Sequence, residues 1–180
     1  PRSGLPVAGY YNLPHRAQRL DQLLREREEG WTIEHHIALQ KDSTTSYAPR
    51  IVAALLPDLA ATVQPPLERL LLEQLATWDG SHDTSSIVPT VFHQLVYELL
   101  NASLADELGE QLFANLLRTK AIDHVLPRLV ADEQSPWWDR RGTPAKESRR
   151  EIVGQAWRRA MTHLQATFGD THAAWLWAKA

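Results

Sequence analysis

Apolar residues recur with helical spacing on both sides of a short polar segment, Asp42-Ser43-Thr44-Thr45. Thr32 is suited to cap the helix before this segment, because its hydroxyl can accept a hydrogen bond from a free backbone N–H group. The polar side chains of the segment compete for local backbone donors, which favours ending one helix and starting another. The helical face that follows carries Ile51, Leu55 and Leu59. The pattern therefore predicts two helices joined by a polar connection.

The same helical period of about 3.6 residues continues through most of the chain. Gly30 is expected to end a helix that starts near His15, and Pro65-Pro66 to start another. Thr143-Pro144 is expected to open a long last helix that stops at Gly169. Further helical faces carry Val88, Phe92, Leu95, Val96 and Leu99, then Leu108, Leu112 and Leu116, then Ile122, Val125, Leu126 and Leu129. Strand alternation is missing, so the predicted fold class is all-α, with about eight helices in an irregular orthogonal array.

Residues 1–14 differ from the rest, because they hold three prolines and two glycines without helical periodicity. They are expected to be an extended or looped edge, cut from a larger body, that needs a neighbour to hold it. Residues 15–180 are expected to form one helical domain, since a chain of 180 residues is long enough to bury a core.

Charge and composition exclude several classes of partner. The sequence contains 19 lysines and arginines and 22 acidic residues, which gives a formal charge of -3. A protein that binds the phosphate backbone of nucleic acid needs an excess of basic residues. Nucleic acid is therefore not expected as a partner. The sequence contains no cysteine, so neither a disulfide nor a thiolate metal site can form. An apolar run of about 20 residues, the length that crosses a bilayer, is not found, and no membrane span is expected.

The histidines do not predict a metal site. His35 and His36 are adjacent, so in a helix their rings point about 100° apart. His36 is interpreted as a residue at the edge of the core. His82 and Asp83 lie in a Gly/Ser loop, where turn formation and solvation explain them. No metal and no cofactor is expected on this chain.

No residue has the surroundings of a catalytic nucleophile. Ser85, Ser86 and Ser103 lack a flanking signature such as an elbow glycine pair, and helix capping explains them. Pro1 carries a secondary amine, which can act as a base or nucleophile in some enzymes. Such catalysis needs a pocket closed around the amine, whereas Pro1 leads into a loop-like stretch.

Seven tryptophans allow two interpretations of the aromatic cluster formed by Trp137, Trp138, Trp175 and Trp177. The cluster is either a ligand platform or packed surface, and packing is favoured because each indole brings a large apolar area. An exposed apolar patch at Trp175, Trp177 and the first 14 residues is also expected, and with it self-association.

Five stretches follow one another in an order that is informative as a set. They are His15-Arg16-Ala17-Gln18-Arg19-Leu20; Gln40-x-Asp42-x-x-Thr45-x-x-Ala48 with a later Leu-Leu-Pro; Trp78-Asp79-Gly80; Ser135-Pro136-Trp137-Trp138-Asp139 with Thr143-Pro144 and Glu147; and Phe168-Gly169-Asp170 with Trp175-x-Trp177. Together they resemble the penicillin acylase (penicillin amidase) family of N-terminal-nucleophile hydrolases. Thr45 departs from the family's usual serine, and Ala178 from its glycine.

The resemblance implies a secreted precursor, cut into two chains, in which the freed N-terminal serine of the larger chain attacks an amide carbonyl. The present chain looks like an internal helical piece of that larger (beta) chain, part of an αββα-type hydrolase. The nucleophilic serine and the oxyanion-hole asparagine have no counterpart in it, because Asn12 stands in a different context. Arg16 is the one site residue carried over, as the arginine that supports this asparagine. The family's structural calcium is expected to lie mostly elsewhere.

The resemblance leads to one functional expectation, and the residues leave a second open. The first is a helical domain of a periplasmic or extracellular acyl-amide hydrolase, which helps to shape the acyl-binding cleft and is inactive alone. Its partners are the remainder of the parent enzyme and an acyl-amide substrate, whether penicillin, cephalosporin or acyl-homoserine lactone. The second is a free-standing helical protein–protein interaction module.

Overall fold

The computed structural model describes residues 14–27 and 29–180. These residues form seven α-helices, three short 3₁₀ helices and no strand, which confirms the all-α prediction. The α-helices are α1 (His15–Glu26), α2 (Ile33–Lys41), α3 (Ala48–Thr62), α4 (Pro66–Ala76), α5 (Val88–Leu117), α6 (Ala121–Ala131) and α7 (Arg149–Phe168). α5 is kinked at Gly109, whose φ of 73° and ψ of 161° are not helical. The 3₁₀ helices are Pro136–Trp138, His172–Ala174 and Trp177–Lys179. Of the predicted edge, residues 1–13 lie outside the described part.

The core is built on α5 and α7, which pack along each other, while α3 packs on α7 and also contacts α4 and α6. α7 buries Trp157, whose Nε1 donates to Glu68 on α4 over 2.6 Å. This bond satisfies the one polar atom of a large apolar side chain, so that burial of the ring is favourable. The core thus joins elements from both halves of the chain.

A buried ion pair fixes α3 to α7 at one end of this core. Arg149 Nε donates to Asp58 Oδ2 over 2.7 Å, and both side chains are less than a tenth exposed. Arg149 Nη1 also donates to the Val130 carbonyl on α6 over 3.0 Å. Since both buried charges have partners, the network sets the relative position of the three helices.

Two predicted helix ends are wrong by several residues. α1 ends at Glu26, before Gly30, because Arg27 is already extended. α7 begins at Arg149 rather than at Thr143-Pro144, since Ser148 and Glu151 form a reciprocal capping box there. The Thr143 hydroxyl instead donates to the Arg140 carbonyl over 2.8 Å and closes a turn. The predicted stop at Gly169 is confirmed, with φ of 87°.

The tryptophan-rich end packs against the chain's own core, so the predicted exposed patch is wrong for Trp175. Trp175 is fully buried, and its Nε1 donates to the Gly169 carbonyl over 2.8 Å. Trp138 is also buried, which confirms its packing role, and Trp177 is half-buried. Trp137 is the cluster member with the larger exposure, 40%. Self-association stays a prediction.

The exposed apolar side chains of the first two helices stand out instead. Neither α1 nor α2 contains a buried residue. Leu20, Leu24 and Ile37 are each a little under half exposed, and Ile33 is 74% exposed. In the part of the chain that the structure describes, no helix combines the length and apolar character of a membrane-spanning segment.

Candidate functional site

A groove of about 490 Å³ opens between α1, α2 and the segment that joins α2 to α3. This segment, residues 42–47, is called the junction below. The groove has an apolar wall and a polar floor, and α6 closes one side. Its lining residues are His15, Arg16, Arg19, Leu20, Leu23, Leu39, Asp42, Ser43, Thr44, Thr45, Tyr47, Lys120 and Asp123.

An ion pair between Arg19 and Asp42 crosses the groove. Arg19 Nη2 donates to Asp42 Oδ2 over 2.7 Å, and its Nε donates to Oδ1 over 3.2 Å. The two side chains are 22% and 18% exposed, so they are largely shielded from water. The hydrogen bonds from Arg19 hold the pKa of Asp42 below its ordinary value, against the effect of partial burial. Asp42 is therefore ionised at neutral pH and holds α1 to the junction.

His15 forms a second contact between α1 and the region behind the groove. Its ring stacks on Tyr47 at a centroid distance of 5.3 Å and an interplanar angle of 26°. Arg50 Nη2 lies 3.0 Å from His15 Nδ1 and can only donate, so Nδ1 accepts. Burial and the charge of Arg50 lower the pKa of His15, against weaker opposing effects of Gln18 and Asp123. The ring is thus neutral, with its proton on Nε2.

Arg16 lies in the first turn of α1, at the mouth of the groove. It is exposed, and it lines the groove together with Arg19, which follows it by three residues on the same helix. The structure brings this residue beside the polar junction, although the two are far apart in sequence. Its role in a reaction stays a prediction.

A cluster of imidazole and indole rings lies behind the junction. His82 and His93 approach each other with an Nε2–Nε2 distance of 2.8 Å. Trp177 stacks on His93 at 5.0 Å and 21°, and meets His82 edge-on at 5.5 Å. Trp78 meets the other side of His82 at 5.4 Å. The two imidazoles are therefore enclosed by aromatic rings rather than by acidic groups.

The neighbours of the two histidines define which nitrogen carries each proton. His82 Nδ1 lies 3.0 Å from the Gly80 carbonyl and 3.2 Å from the Ser43 carbonyl. Carbonyl oxygens only accept, so Nδ1 donates and Nε2 of the neutral ring accepts. His93 Nε2 must then be the donor in the imidazole pair. Burial, and to a lesser extent His82, lower the pKa of His93 from 6.5 to about 4.

This ring cluster supports the junction directly. Besides the bond from His82 to Ser43, the Thr45 N–H donates to the Gly80 carbonyl over 2.9 Å. Gly80 has φ of 89°, and a Cβ at this position would lie 2.1 Å from the Thr45 carbonyl oxygen. Only glycine permits so close an approach. The floor of the groove is thus fixed from behind by the loop that follows α4.

The described residues do not fit a metal centre. Among residues 14–27 and 29–180, no three histidine, aspartate or glutamate side chains are grouped so as to hold an ion.

Comparison with known proteins decides the family. The protein-family model described as penicillin amidase matches residues 2–180 of this chain. The chain belongs to the penicillin amidase family.

Curated relatives share one description, acyl-homoserine lactone acylase QuiP. The protein of Pseudomonas syringae pv. tomato is 24% identical over 98% of this chain. That of Pseudomonas aeruginosa is 25% identical over 99%, and that of Pseudomonas putida 26% identical over 98%. The chain spans 23% of the length of each of these relatives. No solved structure matched the chain.

Three of the five stretches that resemble the penicillin amidase family meet at the junction, and a fourth reaches the ring cluster behind it. The first and second meet in the Arg19–Asp42 pair. The third reaches the second where the Thr45 N–H bonds Gly80, and the fifth reaches the third through Trp177 and His82. The fourth, residues 135–139, lies apart, at a 3₁₀ helix packed on α5. The junction is therefore where most of the family's sequence pattern comes together.

Sequence reasoning missed the imidazole pair. It interpreted His82 as part of a solvated loop, whereas the ring is half-buried and bonded to His93. The two residues are 11 positions apart, one in a polar loop and one on an apolar helix, so no local spacing links them. The His36 ring lies tilted against Trp31, with a centroid distance of 5.4 Å, and remains exposed rather than lying at the edge of the core.

Proposed function

We propose that this chain is the helical part of an acyl-amide hydrolase, and that the complete protein removes the acyl group from N-acyl-homoserine lactones. The observation that carries this proposal is the convergence of the family's stretches on a groove that presents Arg16. The curated relatives, described as acyl-homoserine lactone acylases, support the substrate class. The apolar wall of Leu20, Leu23 and Leu39 is compatible with a position beside an acyl chain.

The reaction proposed is attack on the amide carbonyl by an N-terminal serine in another part of the protein. The serine's own amino group takes the hydroxyl proton and gives it to the leaving nitrogen, so that the C–N bond breaks, the free amine departs and the acyl group stays on the serine oxygen. Water then hydrolyses the acyl-serine ester. Arg16 acts on this step through charge: its guanidinium stabilises the polar network that binds the developing oxyanion. The residues of this chain shape and charge the cleft, and they are inactive alone.

The partner that the proposal requires is the remainder of the same polypeptide. α1 and α2 expose four large apolar side chains, and an uncovered apolar surface of this kind is typical of an interface. We further propose that the complete protein is periplasmic or extracellular, as its resemblance to secreted members of the family suggests. A free-standing interaction module would expose the same side chains, but it would not explain why the family's stretches converge at the junction.

The test is release of homoserine lactone by the complete protein. Substrates are N-acyl-homoserine lactones of short, medium and long chain, with a phenylacetyl amide and a penicillin for comparison. We expect turnover of at least one lactone, and none when residues 1–180 are assayed alone. Failure of the complete protein to cleave any acyl amide would overturn the proposal. Preference for the penicillin would keep the reaction and change the substrate.

A further inference from the structure

α1 is held to the rest of the molecule by few strong contacts. None of its residues is buried, and Leu20 and Leu24 remain 44% and 45% exposed. Its contacts to other elements include the stacking of His15 on Tyr47, the hydrogen bond from Arg50 to His15, and the Arg19–Asp42 ion pair. Of these three, the ion pair combines opposite charge with two parallel hydrogen bonds, which is the strongest type.

The Asp42 end of this pair is itself anchored. One Asp42 oxygen accepts the Thr44 N–H over 3.2 Å, so the carboxylate is oriented by the junction. The junction is in turn bonded to Gly80 through the Thr45 N–H. Arg19 therefore reaches a carboxylate whose position is set by the junction and by the loop after α4.

Arg16 depends on this anchor because of helix geometry. Residues three apart lie on the same side of a helix, about one turn from each other. Arg16 and Arg19 accordingly line the same groove. A rotation or lift of α1 would carry Arg16 away from the groove, and only a small displacement of a catalytic group is needed to lose rate.

We propose that Arg19 and Asp42 form a positioning pair, which holds α1 on the junction so that Arg16 stands at the mouth of the groove. This proposal rests on the proposed function, since Arg16 matters only if the groove serves the reaction. Neither member of the pair needs to touch substrate. The pair acts through the position of a third residue.

The first test is hydrogen exchange on the complete protein, which does not depend on activity. Asp42→Asn should raise amide exchange within α1 about tenfold or more, and leave α5 and α7 unchanged. Asp21→Asn is the matched control, because Asp21 pairs with Arg25 on the same helix but both side chains are more than half exposed. Equal exchange in the two variants, or a rise that spreads through α5 and α7, would overturn the proposal.

The second test is the kinetics of the complete protein. Asp42→Asn should lower kcat about tenfold or more with a small change in KM, whereas Asp21→Asn should change neither. Asp42→Glu keeps the charge and should recover part of the loss. The proposal is wrong if Asp42→Asn matches the control in kcat. If the unsubstituted protein cleaves no acyl amide, the proposed function fails together with the role of Arg16, and exchange still shows whether the pair holds α1.

Discussion

At the scale of single residues, the imidazole pair makes stability depend on pH. The pKa of His93 is lowered from 6.5 to about 4 by burial and by His82. The unfolded chain therefore binds a proton below about pH 6.5 that the folded chain accepts only near pH 4. The contribution of the neutral His93 ring to the free energy of unfolding is complete above pH 6.5, and it declines as the pH falls from 6.5 to 4.

We expect the free energy of unfolding to fall by about 2–3 kcal/mol between pH 7 and pH 4, because each pKa unit is worth about 1.4 kcal/mol. Urea unfolding across this range measures it. His93→Gln keeps a donor for His82 but does not titrate, so it should flatten the slope. His163→Gln, at an exposed position on α7, is the matched control. An identical slope in both variants would show that His93 is not the group responsible.

At the scale of elements, local capping signals predicted some helix ends well. Thr32 caps α2 as expected, and Gly169 ends α7. Thr143-Pro144 carried a start signal of equal local quality, but the Ser148–Glu151 box five residues later binds two backbone donors and defines the start. The sequence alone does not show which of two neighbouring capping signals starts the helix.

Because the loop after α4 packs closely on the junction, we expect alanine substitutions at two glycines to differ in their cost to stability. Gly80 and Gly142 have nearly equal φ values, 89° and 87°. A Cβ at Gly80 would meet the Thr45 carbonyl oxygen at 2.1 Å and Pro49 Cδ at 3.1 Å, whereas one at Gly142 has nothing within 4 Å. The two sites thus share backbone strain and differ in packing.

We expect Gly142→Ala to cost about 1–2 kcal/mol, the strain of a left-handed residue. Gly80→Ala should cost about 2–3 kcal/mol more, since the junction has to move. Chemical denaturation of the two variants measures the difference. Comparable costs would mean that the junction does not pack closely on Gly80.

At the scale of the whole molecule, the all-α fold class could be predicted from the helical spacing of apolar residues, whereas the arrangement of the candidate site could not. Arg16 and Asp42 were each singled out from sequence, yet they line one groove only because α1 lies beside the junction. Trp175 illustrates the same limit, because its indole finds a partner at Gly169 that only the chain's turn after α7 supplies. The spacing of apolar residues predicts the apolar face of each helix, but tertiary contacts determine which of these faces pack against each other.

The most direct measurement is kcat for homoserine lactone release by the complete protein carrying Arg16→Leu. Arg25→Leu, exposed on the same helix, is the matched control. We expect Arg16→Leu to lower kcat about 10²-fold, with the melting temperature unchanged, because charge that supports the oxyanion is lost. Arg25→Leu should retain full activity. If both variants turn over like the unsubstituted protein, the groove beside the junction does not face the reaction.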